Sequence, residues 1–427
     1  MNEVKYYTSG MGGAPVLSNS WGDLVALLDA CLVTGFATRV VASITSIEGV
    51  ATATISAGHT YRPDQIVTVA GCDQAEYNGE VRIIAATSNT FTYPITGTPA
   101  SPATTASSIS AKVAPLGFEM PYTGTHKRVY RSPNVASNRP YLRVDNSLDA
   151  NYTTAYAKFA KVTMAEAMTD IDTFGAGGRA PFDPANPTYN EGSSGAGASA
   201  IVGWHKWYHA VATSAESGGD AGAGARTWVL IGDDRGFYFL TNFVPVGNSS
   251  SYQFRAAYCF TDFASLRPLD QYNTIMAATD LRRAANAATL TYASTGNSYA
   301  SSLSFDGRSL MRDHTQLGNA IRAGFFALNT NNAAQVSGFT DGITFPNGPD
   351  YALLLHPTYI RQETGAHVRG VMPGQFWVHH NGSPYSDLTV IDGVAGYAGR
   401  KFLICVLNHD SQGNVARIAF DVTGPWR

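Results

Sequence analysis

The sequence predicts a mainly β protein: an N-terminal arm with one short helix, a small β-sandwich, and a larger β-rich body with long Gly/Ser loops. Three observations predict it. Short runs of β-branched and aromatic residues recur along the 427 residues, separated by turn residues. Gly and Pro are plentiful, at 42 and 20 residues, and aromatics reach 11% with 22 Tyr. Apolar residues at helical spacing stand out in a single stretch near the start.

That stretch follows the arm. Residues 1–19 are rich in Gly, Ser and Tyr and read as extended. Ser20-Trp21-Gly22-Asp23 supplies cap residues, and Leu24, Leu27, Leu28 and Leu32 then fall on one face of a helix over about 21–33. The arm and helix make up 1–37.

Residues 38–113 read as a sandwich. Val40–Ile47 and Val50–Ile55 flank the turn Glu48-Gly49, a hairpin signal. Further runs cover Gln65–Ala70, Gly79–Ala86, Thr90–Ile95 and Ser107–Val113. Val67-Thr68-Val69-Ala70 and Thr90-Phe91-Thr92-Tyr93 alternate, so each sheet has one inner face. Pro94 predicts that Thr90–Ile95 is an edge strand. The pattern resembles an immunoglobulin-like domain without its disulfide, since Cys72 is the only cysteine there.

The body spans 114–427, with room for two subdomains. Strands are expected at Arg128–Arg131, Tyr141–Val144, Lys161–Ala165, Arg226–Ile231, Gly236–Leu240, Gln253–Phe260, Tyr351–His356, Gln375–Val378, Lys401–Leu407 and Val415–Val422. A helical turn is expected at Asp280–Ala288. Residues 172–225 are low in complexity and read as surface loops, broken by Trp204-His205-Lys206-Trp207-Tyr208-His209. No regular repeat suggests a solenoid or propeller.

Composition excludes several classes. Charged residues make up only 14%, where about 25% is usual. The formal net charge of −3 gives no general attraction to nucleic acid or anionic membranes. No apolar stretch approaches the length of a membrane span, and Met1–Gly10 shows no secretory leader. Cys31, Cys72, Cys259 and Cys405 lie far apart and read as buried free thiols rather than a zinc site or disulfide framework. A surface this poor in charge is easier to understand if neighbouring chains cover much of it.

Candidate chemical motifs fail on spacing. His205 and His209 are four apart, but Lys206 stands where HExxH needs Glu, and on a strand the two would sit about 13 Å apart. His379 and His380 would point to opposite faces of a strand. Gly175-Ala176-Gly177-Gly178-Arg179-Ala180 fits GxGxxA, yet Pro181 and Pro184 block the helix that a dinucleotide fingerprint must open. Gly192-Ser193-Ser194-Gly195 is not a nucleophile elbow. Asp145, Ser147, Asp149 and Asn151 alternate like a calcium loop, without its glycine or closing glutamate. Paired carboxylates for glycoside cleavage leave little trace in sequence. Asp170, Asp172, Asp233, Asp234, Asp262 and Asp270 are the candidates, and turn formation accounts for them. No catalytic, cofactor-binding or metal residue is therefore expected, and no cofactor.

Several segments carry a resemblance to a known group. Lys5-Tyr6-Tyr7-Thr8-Ser9-Gly10-Met11-Gly12-Gly13-Ala14-Pro15-Val16-Leu17 is similar to the start of a group of tailed-bacteriophage virion proteins. In that group the arm leads into a segment like Leu24–Phe36 and an immunoglobulin-like stretch like Gly49–His59. Val129-Tyr130-Arg131-Ser132, Leu142-Arg143-Val144-Asp145, Arg226–Asp233, Arg369–Gly374 and Phe420–Arg427 are similar too. The resemblance implies a non-enzymatic structural subunit of the particle, in the tail, baseplate or collar. Its expected partners are other virion proteins and copies of itself. It is expected to be made in the bacterial host cytoplasm and to reside in the virion, with no nucleic-acid partner and no membrane span. The alternative is an adhesion or capsid-decoration protein binding host glycan. A glycan-cleaving tailspike is a more distant third.

Overall fold

Asp23 opens the helical segment: its carboxylate accepts the backbone N–H of Ser18 at 2.8 Å and also the Ser18 hydroxyl. In a computed structural model, the helix α1 (Asp23–Leu28) runs directly into a π-helical turn, Asp29–Thr34. The expected single α-helix over 21–33 is therefore two helical forms in series. Gly35 ends it at φ 72°, donating its N–H to the Ala30 carbonyl. A Cβ there would lie 2.3 Å from the Val113 carbonyl oxygen, so only Gly fits.

The structure describes residues 3–182, 192–194, 201–203, 205–212, 219–246, 254–280, 307–326, 343–344, 353–378, 380–381, 385–408 and 415–427. The chain divides into two compact units. One is Lys5–Pro15 with Ala26–Gly117; the other is Met1–Val4, Val16–Val25 and Phe118–Arg427. The protein is mainly β, with 45% of residues in strands and 5% helical.

In the smaller unit, β1 (Lys5–Thr8) is followed by eight strands in two antiparallel sheets. These are β2 (Phe36–Val41), β3 (Ser43–Ile47), β4 (Val50–Thr54), β5 (Ile66–Ala70), β6 (Gly79–Arg82), β7 (Ala85–Ala86), β8 (Thr90–Pro94) and β9 (Ile109–Val113). One sheet has the order β2-β9-β5-β6, the other β3-β4-β8-β7. The β3–β4 hairpin closes with Ile47 opposite Val50, and its turn residues Glu48 and Gly49 both have positive φ. That is the backbone a two-residue hairpin turn needs. Alternation gives each sheet its inner face: Ala51, Ala53, Val67, Val69, Phe91, Tyr93, Ile109 and Ala111 are buried. Three aromatics pin the interior. Tyr61 donates its hydroxyl to the Ala111 carbonyl at 2.8 Å, Tyr93 donates to Tyr77, and the Phe91 ring meets Tyr61 edge-on.

Two expectations need correction here. Val40–Ile47 and Gly79–Ala86 each read as one strand. Each is two strands that change sheet, at Ala42 and at Ile83-Ile84. Thr90–Ile95 is not at an edge: β8 lies between β4 and β7. Ile84 donates to the Thr92 carbonyl, so alternate residues of β8 face β7. Pro94 faces that side beyond the last pair, Ala85 with Thr92, where the missing N–H costs the ladder nothing.

In the larger unit, β10 (Glu119–Gly124), β11 (Lys127–Arg131), β12 (Tyr141–Asp145), β13 (Lys158–Ala165) and β17 (His205–Ala210) neighbour one another in sequence order. β14 (Arg179–Ala180) pairs with β13, and β23 (Thr279–Asp280) with β17. β15 (Ser193–Ser194) and β16 (Ile201–Val202) form a separate pair. The second sheet is a large curled half-barrel. It runs β18 (Trp228–Asp233), β19 (Gly236–Thr241), β20 (Ala256–Asp262), β22 (Thr274–Ala277), β24 (Arg308–Leu310), β25 (Ile321–Phe326), β27 (Leu355–Gln362), β28 (Val368–Val378), β32 (Val415–Asp421), β31 (Phe402–Asn408) and β30 (Thr389–Ile391). β21 (Ala264–Ser265) pairs with β28, and β26 (Ile343–Thr344) lies parallel to β29 (His380–Asn381).

His205–His209 of the aromatic block that interrupts the Gly-rich region pack into the core between these sheets. Every residue of β13, β17, β18, β19 and β20 is buried. Trp207 stacks on Tyr258 with ring centres 5.8 Å apart and donates its indole N–H to the Ala277 carbonyl. Phe237 meets both Trp207 and Phe118 edge-on. A second core gathers Val378, Ile391, Phe402, Ile404 and Ala419, with Tyr397 and Phe376 packed against it. The expected helical turn at Asp280–Ala288 lies outside the described residues beyond Asp280, as do Trp204, Pro184 and His379.

Candidate functional site

Both histidines of β17 are buried. His209 is wholly buried. Its Nδ1–H donates to the Ser18 carbonyl at 3.0 Å, and its Nε2 accepts from Asn146 Nδ2 at 3.1 Å. Burial pushes its pKa down to about 3, with the positive charges of Arg226 and Lys158 adding to the effect, so it is neutral at neutral pH. His205 is buried on the same strand. His380 is buried and accepts the Leu354 backbone N–H at 2.7 Å.

Asn146 is the hub of this region. Its side-chain oxygen accepts the N–H groups of Gly22 and Leu24, at 2.9 and 3.1 Å, while its Nδ2 donates to Phe159 and His209. One buried amide thus ties the start of α1 to β13 and β17. Beside it, Lys158 donates to Asp220 and to the Thr154 and Tyr156 carbonyls and stands over the Trp21 ring. Lys206 stands 4.2 Å from the Phe159 ring centre.

The alternating oxygens at 145–151 make hydrogen-bonded turns. Asp145 accepts the N–H and hydroxyl of Ser147, and Asp149 accepts the Asn151 N–H. The positive charge among them belongs to the protein. Lys161 reaches Asp149 at 3.2 Å and Asp145 at 3.8 Å, and Arg143 lies 3.2 Å from Asp145. Burial pushes the Asp145 carboxyl up, but Lys161, Arg143, Ser147 and Lys127 outweigh it and hold it below the usual carboxylate range. Among the described residues, no three His, Cys, Asp or Glu side chains gather as a metal site.

The remaining aspartates are held by cations, backbone N–H groups or amides of the chain. Asp172 binds Lys127 at 2.9 Å and also Arg143, and Asp170 caps the N–H of Asp172. Asp233 pairs with Arg427, Asp262 with Arg235, and Asp270 with Arg369. Asp234 accepts from Asn134. Gly175–Ala180 runs into β14 and opens no helix. Cys31, Cys72, Cys259 and Cys405 are buried free thiols.

A cavity of about 390 Å³ opens on the larger unit. Asn138, Pro140, Glu166, Gln271, Tyr272, Thr274 and Met311 line it. Its polar walls are held from behind. Arg312 grips Glu166 through two bonds of 2.6 and 2.7 Å and stacks 4.6 Å from the Tyr272 ring centre. Arg369, paired with Asp270, donates to the Arg312 carbonyl, and Asp270 also caps the Tyr272 N–H. Thr274 donates to Asp262 at 2.6 Å. Asn138 donates to Asn273, which is itself anchored on the Phe263 carbonyl. Sequence reasoning missed this cavity because its residues come from four distant stretches of the chain.

No helix among the described residues is long and apolar enough to cross a membrane. Neither a family model nor a curated protein matches the chain.

Proposed function

We propose that the chain is a structural subunit of a bacteriophage particle, in the tail, baseplate or collar, acting through contacts with its own copies and with other virion proteins. The observation that carries this reading is where the charge goes. A chain with so few charged residues buries twelve of them among its described residues, Lys158, Lys161 and Arg369 included. Those twelve charges are withdrawn from the surface, while Val40, Ile47 and Ile84 of the sandwich unit stay exposed. Charge-depleted surface with scattered aliphatics suits interface cores. The resemblance of the arm and of the terminal segment to phage virion proteins supports the same reading, and symmetric repetition would multiply modest contacts.

Light scattering on the purified chain tests it. The expected result is a mass several times that of one chain at tens of micromolar; a clean monomer at high concentration contradicts it. Removing residues 38–113 separates this reading from the glycan-binding adhesion or capsid-decoration alternative. Failed particle assembly favours the structural role, and intact particles with poor adsorption favour adhesion.

A further inference from the structure

We infer that the cavity lined by Asn138, Glu166, Gln271, Tyr272, Thr274 and Met311 binds a neutral saccharide unit. The inference does not depend on the assembly role. Its first support is charge balance. Each carboxylate at or just behind the wall has its own cation: Glu166 with Arg312, Asp262 with Arg235, Asp270 with Arg369. The cavity therefore offers no unbalanced charge to attract a phosphate, an acidic sugar or a cation.

The second support is the mix of surfaces. Tyr272, Pro140 and Met311 give apolar contact, and Asn138, Gln271 and Thr274 give neutral hydrogen-bonding groups. A pyranose presents the same pair, an apolar C–H face and a rim of hydroxyls. The third is pre-organisation. Tyr272 is held by Arg312 and Asp270, Thr274 by Asp262, and Asn138 by Asn273, so little side-chain entropy remains to be lost on binding. The volume of about 390 Å³ falls at the small end of ligand pockets, roughly 300–1,000 Å³, which suits one or two sugar rings.

Saturation-transfer NMR on the full chain, with a panel of neutral mono- and disaccharides (glucose, galactose, mannose, N-acetylglucosamine, lactose and maltose), tests this. Expected is millimolar binding of at least one member, weakened tenfold or more by Gln271→Ala and by Tyr272→Leu. Gln271 is exposed, so Gln271→Ala keeps the test sound if Tyr272→Leu fails to fold. Transfer to none of the panel, binding unchanged by Gln271→Ala, or stronger binding of glucuronic acid or adenosine would each overturn the assignment.

Discussion

Replacing Asn146 by Ala should cost the protein about 3–5 kcal/mol of stability, read as a fall in the urea midpoint at unchanged slope. The amide is fully buried and makes four side-chain hydrogen bonds, with Gly22, Leu24, Phe159 and His209. Alanine would take this partner from the Leu24 N–H, the Phe159 carbonyl and His209 Nε2 in a site closed to water, while the Gly22 N–H keeps its bond to the backbone carbonyl of residue 146. Each such orphan costs about 1–3 kcal/mol, with partial relaxation accounting for the lower total. The loss should also free the start of α1, seen as faster amide exchange at Gly22 and Leu24. A change below 1 kcal/mol would show that Asn146 is not the hub described.

Lowering the pH from 7 to 4 should destabilise the protein through His209, and His209→Gln should flatten that part of the curve. The folded-state pKa is depressed to about 3, against roughly 6.5 in an unfolded chain. Between those values the unfolded state binds a proton that the folded state refuses. Stability from this group is therefore complete above about pH 6.5 and drains away as pH falls toward 3, by up to about 1.4 kcal/mol per pH unit. Asp387 works in the opposite sense. Burial raises its carboxyl to about 7, so its contribution is full below its ordinary value near 4 and is lost as pH rises through 7. Only the difference between wild type and His209→Gln isolates the histidine. Parallel denaturation curves for the two proteins from pH 7 to pH 4 would refute the buried neutral imidazole.

What could be read from the sequence was local. The Glu48-Gly49 turn announced its hairpin because positive φ at two successive residues is a matter of turn chemistry alone. The alternation in β5 and β8 named their inner faces for the same reason. The centrality of β8 was hidden, since a proline usually argues against it and only the short reach of β7 makes it harmless. β13 was recognised over Lys161–Ala165 but begins at Lys158. Both its faces are buried, so no alternation marks it, and its two lysines look like surface residues until Asp220, Asp149 and the Trp21 ring are seen around them. β22, β24 and most of β27 left no signal beyond a few apolar residues. The cavity was illegible because its lining is drawn from two different sheets and their loops, more than 100 residues apart in sequence.

The claim that this chain is a building block of a phage particle meets its most direct test in the particle itself. Mass spectrometry of phage purified by density gradient from lysates of the host that makes the chain should find it at a stoichiometry comparable to known tail or collar proteins. Particles that are intact and infectious yet lack the chain would contradict the account.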